Sequence, residues 1–458
     1  MKSKSRGRLA SQRTKTAKRW RFSGVAAGAN RAAICGHHHC DSIRACRLFR
    51  NSKSAFVGCR AAASTVYLCG LFTDIDTETI LSIRPIQRAT LHTWLTQAGL
   101  GPADRELAVL DVRDAAAFGN GAPLYATNLP LARLADEVAR YVPRRSVRVV
   151  LVDGGDAADG EGEAAQAARR LAALGYTDLY VLAGGTRAWA AGDALGQPTV
   201  DIPGNIFAGS IRDLRATPSI DAAQLHALRE AGGNVVVIDT RTPAEFADAH
   251  VPGALNAPGE EILQRFRDAV PDPDAFVVVS CAGLPRAIIG AQTLIDAGVP
   301  NRVALLEDGT VGWTRAAFAL EQGADASRRR ASDASVAYAL DRVAQLGERV
   351  PVREIDAAVL AAWRAEPTRT TYLLDVRSRE EYDAGHADGA ISAPGGQLLG
   401  VTYRTLATRG ARVVLTDDDG TRARTTAYWL RQRGWDVAVL AGRDLDRDSS
   451  SQKYAHAN

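Results

Sequence analysis

Short apolar runs recur along the chain at regular places, and three of them end in aspartate: Leu107–Asp111, Val235–Asp239 and Tyr372–Asp375. Runs of this length, rich in Val, Ile and Leu, predict buried strands. Each continues alike, as DVRDAAAF, DTRTPAEF and DVRSREEY. A second apolar run follows each, at Val149–Val152, Val277–Ser280 and Val413–Thr416. The residues after these runs are Asp153, Cys281 and Asp417, each 42 positions beyond its own strand aspartate. An offset kept in three segments predicts a threefold repeat.

Smaller signals hold the same register. Ala126-x-Asn128-x-Pro130 matches Ala254-x-Asn256-x-Pro258 and Ala390-x-Ser392-x-Pro394. His250 and His386 each fall 11 residues after the strand aspartate. Asp221 and Asp356 stand where N-caps of a short helix belong, ahead of the strand aspartates of the second and third repeats. After Cys281, Arg286–Ala297 reads as a helix closed by Gly298, and Val303–Leu306 as the next strand. Strands alternating with helices predict an α/β fold: tandem domains, each a mostly parallel sheet flanked by helices. Ligands of such sheets sit beyond the carboxyl ends of the strands, which is where Cys281 falls. The expected domains are 85–195, 215–325 and 349–445, after an N-terminal segment 1–80 and before a polar tail 446–458. The connecting segments Ala191–Thr217 and Gln322–Glu348 lack strand signals and read as linkers.

Composition changes the picture at the ends. The chain has 458 residues and a net charge of +4, yet residues 1–60 hold 15 Lys/Arg against one acid, Asp41. The rest holds 41 basic and 51 acidic side chains, so the body is acidic. Five of the six cysteines lie in the first 70 residues, and Cys281 stands alone in the body. A domain array with one cysteine is not stapled by disulfides, which suits a reducing, cytoplasmic setting. No stretch approaches the roughly 20 apolar residues that span a bilayer. The Arg-rich start has no secretory apolar block, although a transit peptide shares its composition. Cys35-Gly36-His37-His38-His39-Cys40, with Cys46 nearby, invites a zinc reading, but the spacing fits no common zinc site. The basic segment is expected to be a disordered tail, with neither nucleic acid nor membrane as partner. A start codon assigned too far upstream would also produce it.

The strand Asp-x-Arg, His250–Ala254 (HVPGA), a cysteine at a strand end and a closing Gly-x-x-x-Trp together resemble the rhodanese domain. The closure is Gly185–Trp189 in the first repeat and Gly309–Trp313 in the second. In CAGLPRAIIGAQTL and DGTVGW the chain is similar to bacterial multi-rhodanese sulfurtransferases. In the third repeat Arg447 stands where the closing Trp should fall, so that repeat looks shortened and is expected to be incompletely folded.

The resemblance implies transfer of a sulfane sulfur through a persulfide on Cys281, from a thiosulfate-like donor to cyanide, a thiol or a protein, without cofactor or metal. The nucleophile must be a thiolate. Loop amides, the following helix start and Arg286 are expected to lower its pKa and hold the donor. Ala282, Gly283 and Leu284 are the other expected substrate-binding residues. Asp239, Arg241, His250 and Trp313 are expected to support the fold. Four residues separate Cys281 from Arg286, one fewer than in the related phosphatases, and a smaller pocket favours sulfur. Relatives read CAGRTR here, so Leu284 removes a cation and Pro285 an amide donor, and slower thiosulfate turnover is expected. Asp153 and Asp417 cannot form persulfides. The acids after Asp153 (Asp156, Asp159, Glu161, Glu163) predict the reverse of an anion cradle. Arg422 matches Arg286 without a thiol, so the first and third repeats are expected to scaffold the second or bind a partner. A wholly non-catalytic binding protein is the alternative from another class.

Overall fold

The computed structural model describes residues 83–97, 106–155, 162–192, 202–325 and 329–441. The Cys35–Cys46 cluster, Arg447 and the polar tail lie outside these residues.

Each repeat builds one sheet on the predicted central strands. In the second repeat the order is Ser219–Ile220, Val303–Leu306, Phe276–Ser280, Val235–Asp239 and Leu255–Asn256, all parallel. The third repeat has the same five-strand order, from Arg353–Ile355 through Asp436–Leu440, Arg412–Thr416 and Thr371–Asp375 to Ile391–Ser392. The register sets Asp239 opposite Ser280 and Asp375 opposite Thr416, so the strand aspartate and the residue before Cys281 or Asp417 share one sheet end. The central strands are buried because helices cover both faces, which is why they read as unbroken apolar runs.

Local signals resolve as capping chemistry. Asp221 and Thr242 close capping boxes with Gln224 and Glu245, and Asp356 caps Ala357–Ala365. The helix after Cys281 is Pro285–Asp296, and Gly298 follows it at a φ of 66°.

Two expectations are corrected. The third repeat is not incompletely folded: its sheet is complete to Leu440, Trp435 is buried in its core, and Trp429 is buried against the second repeat. The last strand pairs with the strand that opens the repeat, so the sheet closes before the missing Trp position is reached. Nor are the two connecting segments plain linkers. They carry helices Ile202–Arg215 and Asp333–Arg349, whose apolar residues Ala208, Ile211, Ala339, Val343 and Leu346 join the core of the second repeat.

The third repeat also touches both others. Its strand Thr408–Arg409 adds antiparallel to Leu107–Ala108 of the first repeat's sheet. Thr370 donates its N–H and hydroxyl to the buried Glu106 carboxylate, at 2.7 and 2.6 Å. Toward the second repeat, Trp429 Nε1 donates to Thr293 Oγ1 and Tyr428 Oη to Asp296 Oδ2, both at 2.8 Å. No helix among the described residues is long and apolar enough to cross a membrane.

Candidate functional site

Cys281 leaves the strand Phe276–Ser280 and enters a loop that turns at once into the helix Pro285–Asp296. The turn is tight enough to curl backbone N–H groups around the sulfur: the amides of Gly283 and Ala287 donate to it. Pro285 occupies the first helical turn, where a missing N–H costs the helix little, and it brings no donor to the cradle. Leu284 packs against the core of the second repeat. From the other side Thr310 N–H donates to the Cys281 carbonyl at 2.9 Å and Val311 N–H to Ala282 at 3.3 Å. A Cβ on Gly309, at a φ of 49°, would lie 1.9 Å from the Cys281 carbonyl oxygen, so only glycine admits this approach.

The thiol itself is 1% exposed and belongs to the core cluster. Burial pushes its pKa up; Arg286 and the Ala287 and Gly283 amides pull down without prevailing. The expected net lowering is therefore not what the resting site has. Asp239 adds to the rise. Arg286 has a partner that sequence reasoning missed, Glu245. Arg286 donates both terminal nitrogens to its two carboxylate oxygens, at 2.8 and 2.7 Å. Burial raises the Glu245 carboxyl, but the Arg286 contact outweighs it and holds the group down to about 2. The guanidinium is thus near the sulfur yet already charge-balanced. Glu245 was visible in the sequence as the third helical residue of the Thr242 capping box, and Glu381 stands in the same place in the third repeat.

The remaining predicted residues sit behind the loop. Arg241 forks onto Asp239, fully buried, with Nη2–Oδ2 at 2.7 Å, and also reaches the Ala249 carbonyl. Asp111–Arg113 and Asp375–Arg377 repeat this pairing. His250 stacks on Phe246 at 3.7 Å between ring centres, with Nδ1 2.8 Å from the Phe246 carbonyl. Trp313 donates to the Ala319 carbonyl at 2.9 Å from a buried position.

The aspartates of the other two repeats occupy the cradle with their own charge. Asp417 accepts N–H groups from Gly420 (2.7 Å), Arg422 (2.9 Å) and Ala423 (3.0 Å). Asp153 accepts from Gly155 at 2.9 Å and from Ala164, at the next helix start, at 3.0 Å. The first repeat thus sets two backbone N–H groups on its own carboxylate. Asp156, Asp159 and Glu161 lie outside the described residues. Asp417, Asp418 and Asp419 come close enough together for a metal ion. Each is committed elsewhere: Asp417 to the three amides, Asp418 to Arg422, and Asp419 to Thr421 and to Gln264 of the second repeat.

The family model described as "Rhodanese-like domain" matches residues 97–192, 221–316 and 356–442. The chain belongs to the rhodanese-like domain family. A crystal structure of a thiosulfate sulfurtransferase from Pseudomonas aeruginosa is 42% identical with a TM-score of 0.71, over 79% of this chain and 67% of that one. A sulfurtransferase of Allochromatium vinosum is 34% identical over 18% of this chain and 74% of its own. An HTH-type transcriptional regulator of Mycobacterium tuberculosis, Rv0324, is 31% identical over 23% of this chain and 46% of its own. The chain thus spans less than half of that regulator and three quarters of the Allochromatium protein. Among these rhodanese-like repeats, only the second sets a sulfur in the cradle.

Proposed function

We propose that this rhodanese-like protein is a sulfurtransferase whose second repeat carries sulfur on Cys281. The Cys281 thiol gives its proton to water, and the thiolate attacks the outer sulfur of a thiosulfate-like donor. The donor's S–S bond breaks and its electron pair leaves with sulfite, so the enzyme holds a persulfide. Cyanide or a thiol then attacks the outer persulfide sulfur, the S–S bond to Cys281 breaks, and the thiolate returns. Arg286 and the loop of Ala282, Gly283 and Leu284 receive the donor, and the Gly283 and Ala287 amides hold the negative sulfur. The observation that carries this reading is a lone cysteine whose sulfur takes amide N–H groups where the other repeats place a carboxylate. Similarity to the Pseudomonas thiosulfate sulfurtransferase supports the donor class. A reducing, cytoplasmic setting fits a thiol that must cycle.

The test is intact mass after incubation with thiosulfate. A gain of one sulfur, absent in Cys281→Ser, is expected. No gain with any sulfane donor would leave the rival, a partner-binding repeat array. The burial of Cys281 and the charge balance at Arg286 favour that rival.

A further inference from the structure

The third repeat reaches the reaction centre of the second. Its short helix Gly395–Gly400 lies against the helix Pro285–Asp296, and both line an apolar groove with Arg286 at its wall. The helix is pinned there from two directions. Gly396 N–H donates to the buried Glu260 carboxylate of the second repeat at 2.8 Å, and Gly395 N–H donates to the Val376 carbonyl at 3.2 Å. A Cβ on Gly396 would stand 2.6 Å from Glu260 Oε2, so a larger residue there would have to displace that carboxylate. The next residue, Gln397, turns its Nε2 to Glu245 Oε2 at 3.4 Å, the same oxygen that Arg286 Nη1 holds at 2.8 Å. One carboxylate thus joins a donor from the third repeat to the guanidinium beside Cys281.

We propose that Gln397 is a positioning residue for Arg286, acting through Glu245, so that the third repeat sets the charge felt at Cys281. This rests on Cys281 being the sulfur carrier. Two charged groups act on the thiol, Arg286 and Asp239, and each has its own ion-pair partner. Arg286 comes from the loop helix, Asp239 with its partner Arg241 from the strand end, and Glu245 from the helix Pro243–Asp248. Gln397 is the polar side chain that the third-repeat helix adds to this set, and it is neutral. The Gln397 amide keeps Glu245 facing Arg286 without adding charge. A carboxylate in its place would add a second acid to one guanidinium and weaken the pull on the thiolate.

The experiment follows alkylation of Cys281 by iodoacetamide against pH in the full chain, read on the peptide that contains it so that the other five cysteines do not contribute. Gln397→Glu is expected to raise the alkylation midpoint by about half a pH unit, a roughly threefold loss of thiolate at fixed pH. Glu245→Gln, which leaves Arg286 without its counter-charge, is expected to lower the midpoint. Gln397→Leu, which removes the donor alone, is expected to raise KM for thiosulfate more than it changes kcat. Urea midpoints control for folding, because a purely structural Gln397 would move these and leave the alkylation midpoint in place. If the midpoint stays put in Gln397→Glu while Glu245→Gln shifts it, the link to the third repeat is wrong. Because alkylation needs no turnover, that failure is separate from failure of the sulfur-carrier reading, which would appear as no sulfur gain in the unaltered protein.

Discussion

The loops after Cys281 and Asp417 are two solutions to one geometry. Both leave a central strand, both put four residues before an arginine, and both aim the amide six positions on at the first side chain. In the third repeat that side chain carries its own charge, and the loop is satisfied without a visitor. Arg422 is 3% exposed there and held by Glu381 and Asp418. In the second repeat the side chain is a thiol whose burial favours the neutral form, and the cradle is filled only when a proton leaves. Occupying an anion site with a carboxylate converts a reactive loop into a structural one. The third repeat uses the result: Asp419 of that loop accepts from Gln264 Nε2 of the second repeat at 2.6 Å.

The comparison can be broken most directly by exchanging the two side chains. Cys281→Ser should abolish sulfur loading, read as intact mass. Adding Asp417→Cys to that variant should restore at most a tenth of the iodoacetamide reactivity of the native thiol, since Asp418 and Asp419 stay beside the new sulfur. Equal reactivity would mean that loop acidity is irrelevant.

The arginines should then part company. Arg286→Ala is expected to cut the rate of sulfur loading by about 10–100-fold, with a small loss of stability. Arg422→Ala should leave loading nearly intact and cost about 2–3 kcal/mol in urea unfolding, because Glu381 and Asp418 lose a buried partner but keep partial access to water. A large catalytic effect of Arg422→Ala would contradict the division of roles.

Leu284→Arg sharpens the site from the other side. It returns a cation to the loop and should raise kcat/KM for thiosulfate by about tenfold at low salt, with the gain shrinking as ionic strength rises. A gain that ignores salt would point to repacking of the core instead.

The smallest effect concerns pH. Burial, reinforced by Glu261, lifts the Glu260 carboxyl from 4.5 to about 7 against the third repeat. Burial likewise lifts Asp417 from 3.8 to about 6. Both folded values exceed the unfolded ones, so their stabilising contribution is full below about pH 4 and lost as pH rises through 6 to 7. Glu260→Gln should flatten the decline of urea stability between pH 5 and about 8, by about 1–3 kcal/mol at the alkaline end. An unchanged slope would show that Glu260 ionises without strain at the interface.

Much of this was legible in the chain. The Asp-x-Arg pairs, the capping aspartates and the 42-residue offset all act over short sequence distances, and each resolved as the predicted strand end, helix start or loop. Short strands such as Ser219–Ile220 and Leu255–Asn256 escaped, because two residues carry no period. The linker helices escaped because those segments carry no strand signal, although Ala208, Ile211, Ala339, Val343 and Leu346 are spaced for one buried face. Glu245 was readable as a cap and unreadable as the partner of an arginine 41 residues away.

The order of residues by itself determined the threefold repeat, the α/β class and the position of the one sulfur in the body, because these follow from apolar periodicity and from residue identity. The tertiary structure alone decided that the thiol is buried, that Arg286 is balanced by Glu245, and that the third repeat joins the other two. Those outcomes depend on which surfaces exclude water from one another, and desolvation is a property of neighbours in space that no local pattern encodes.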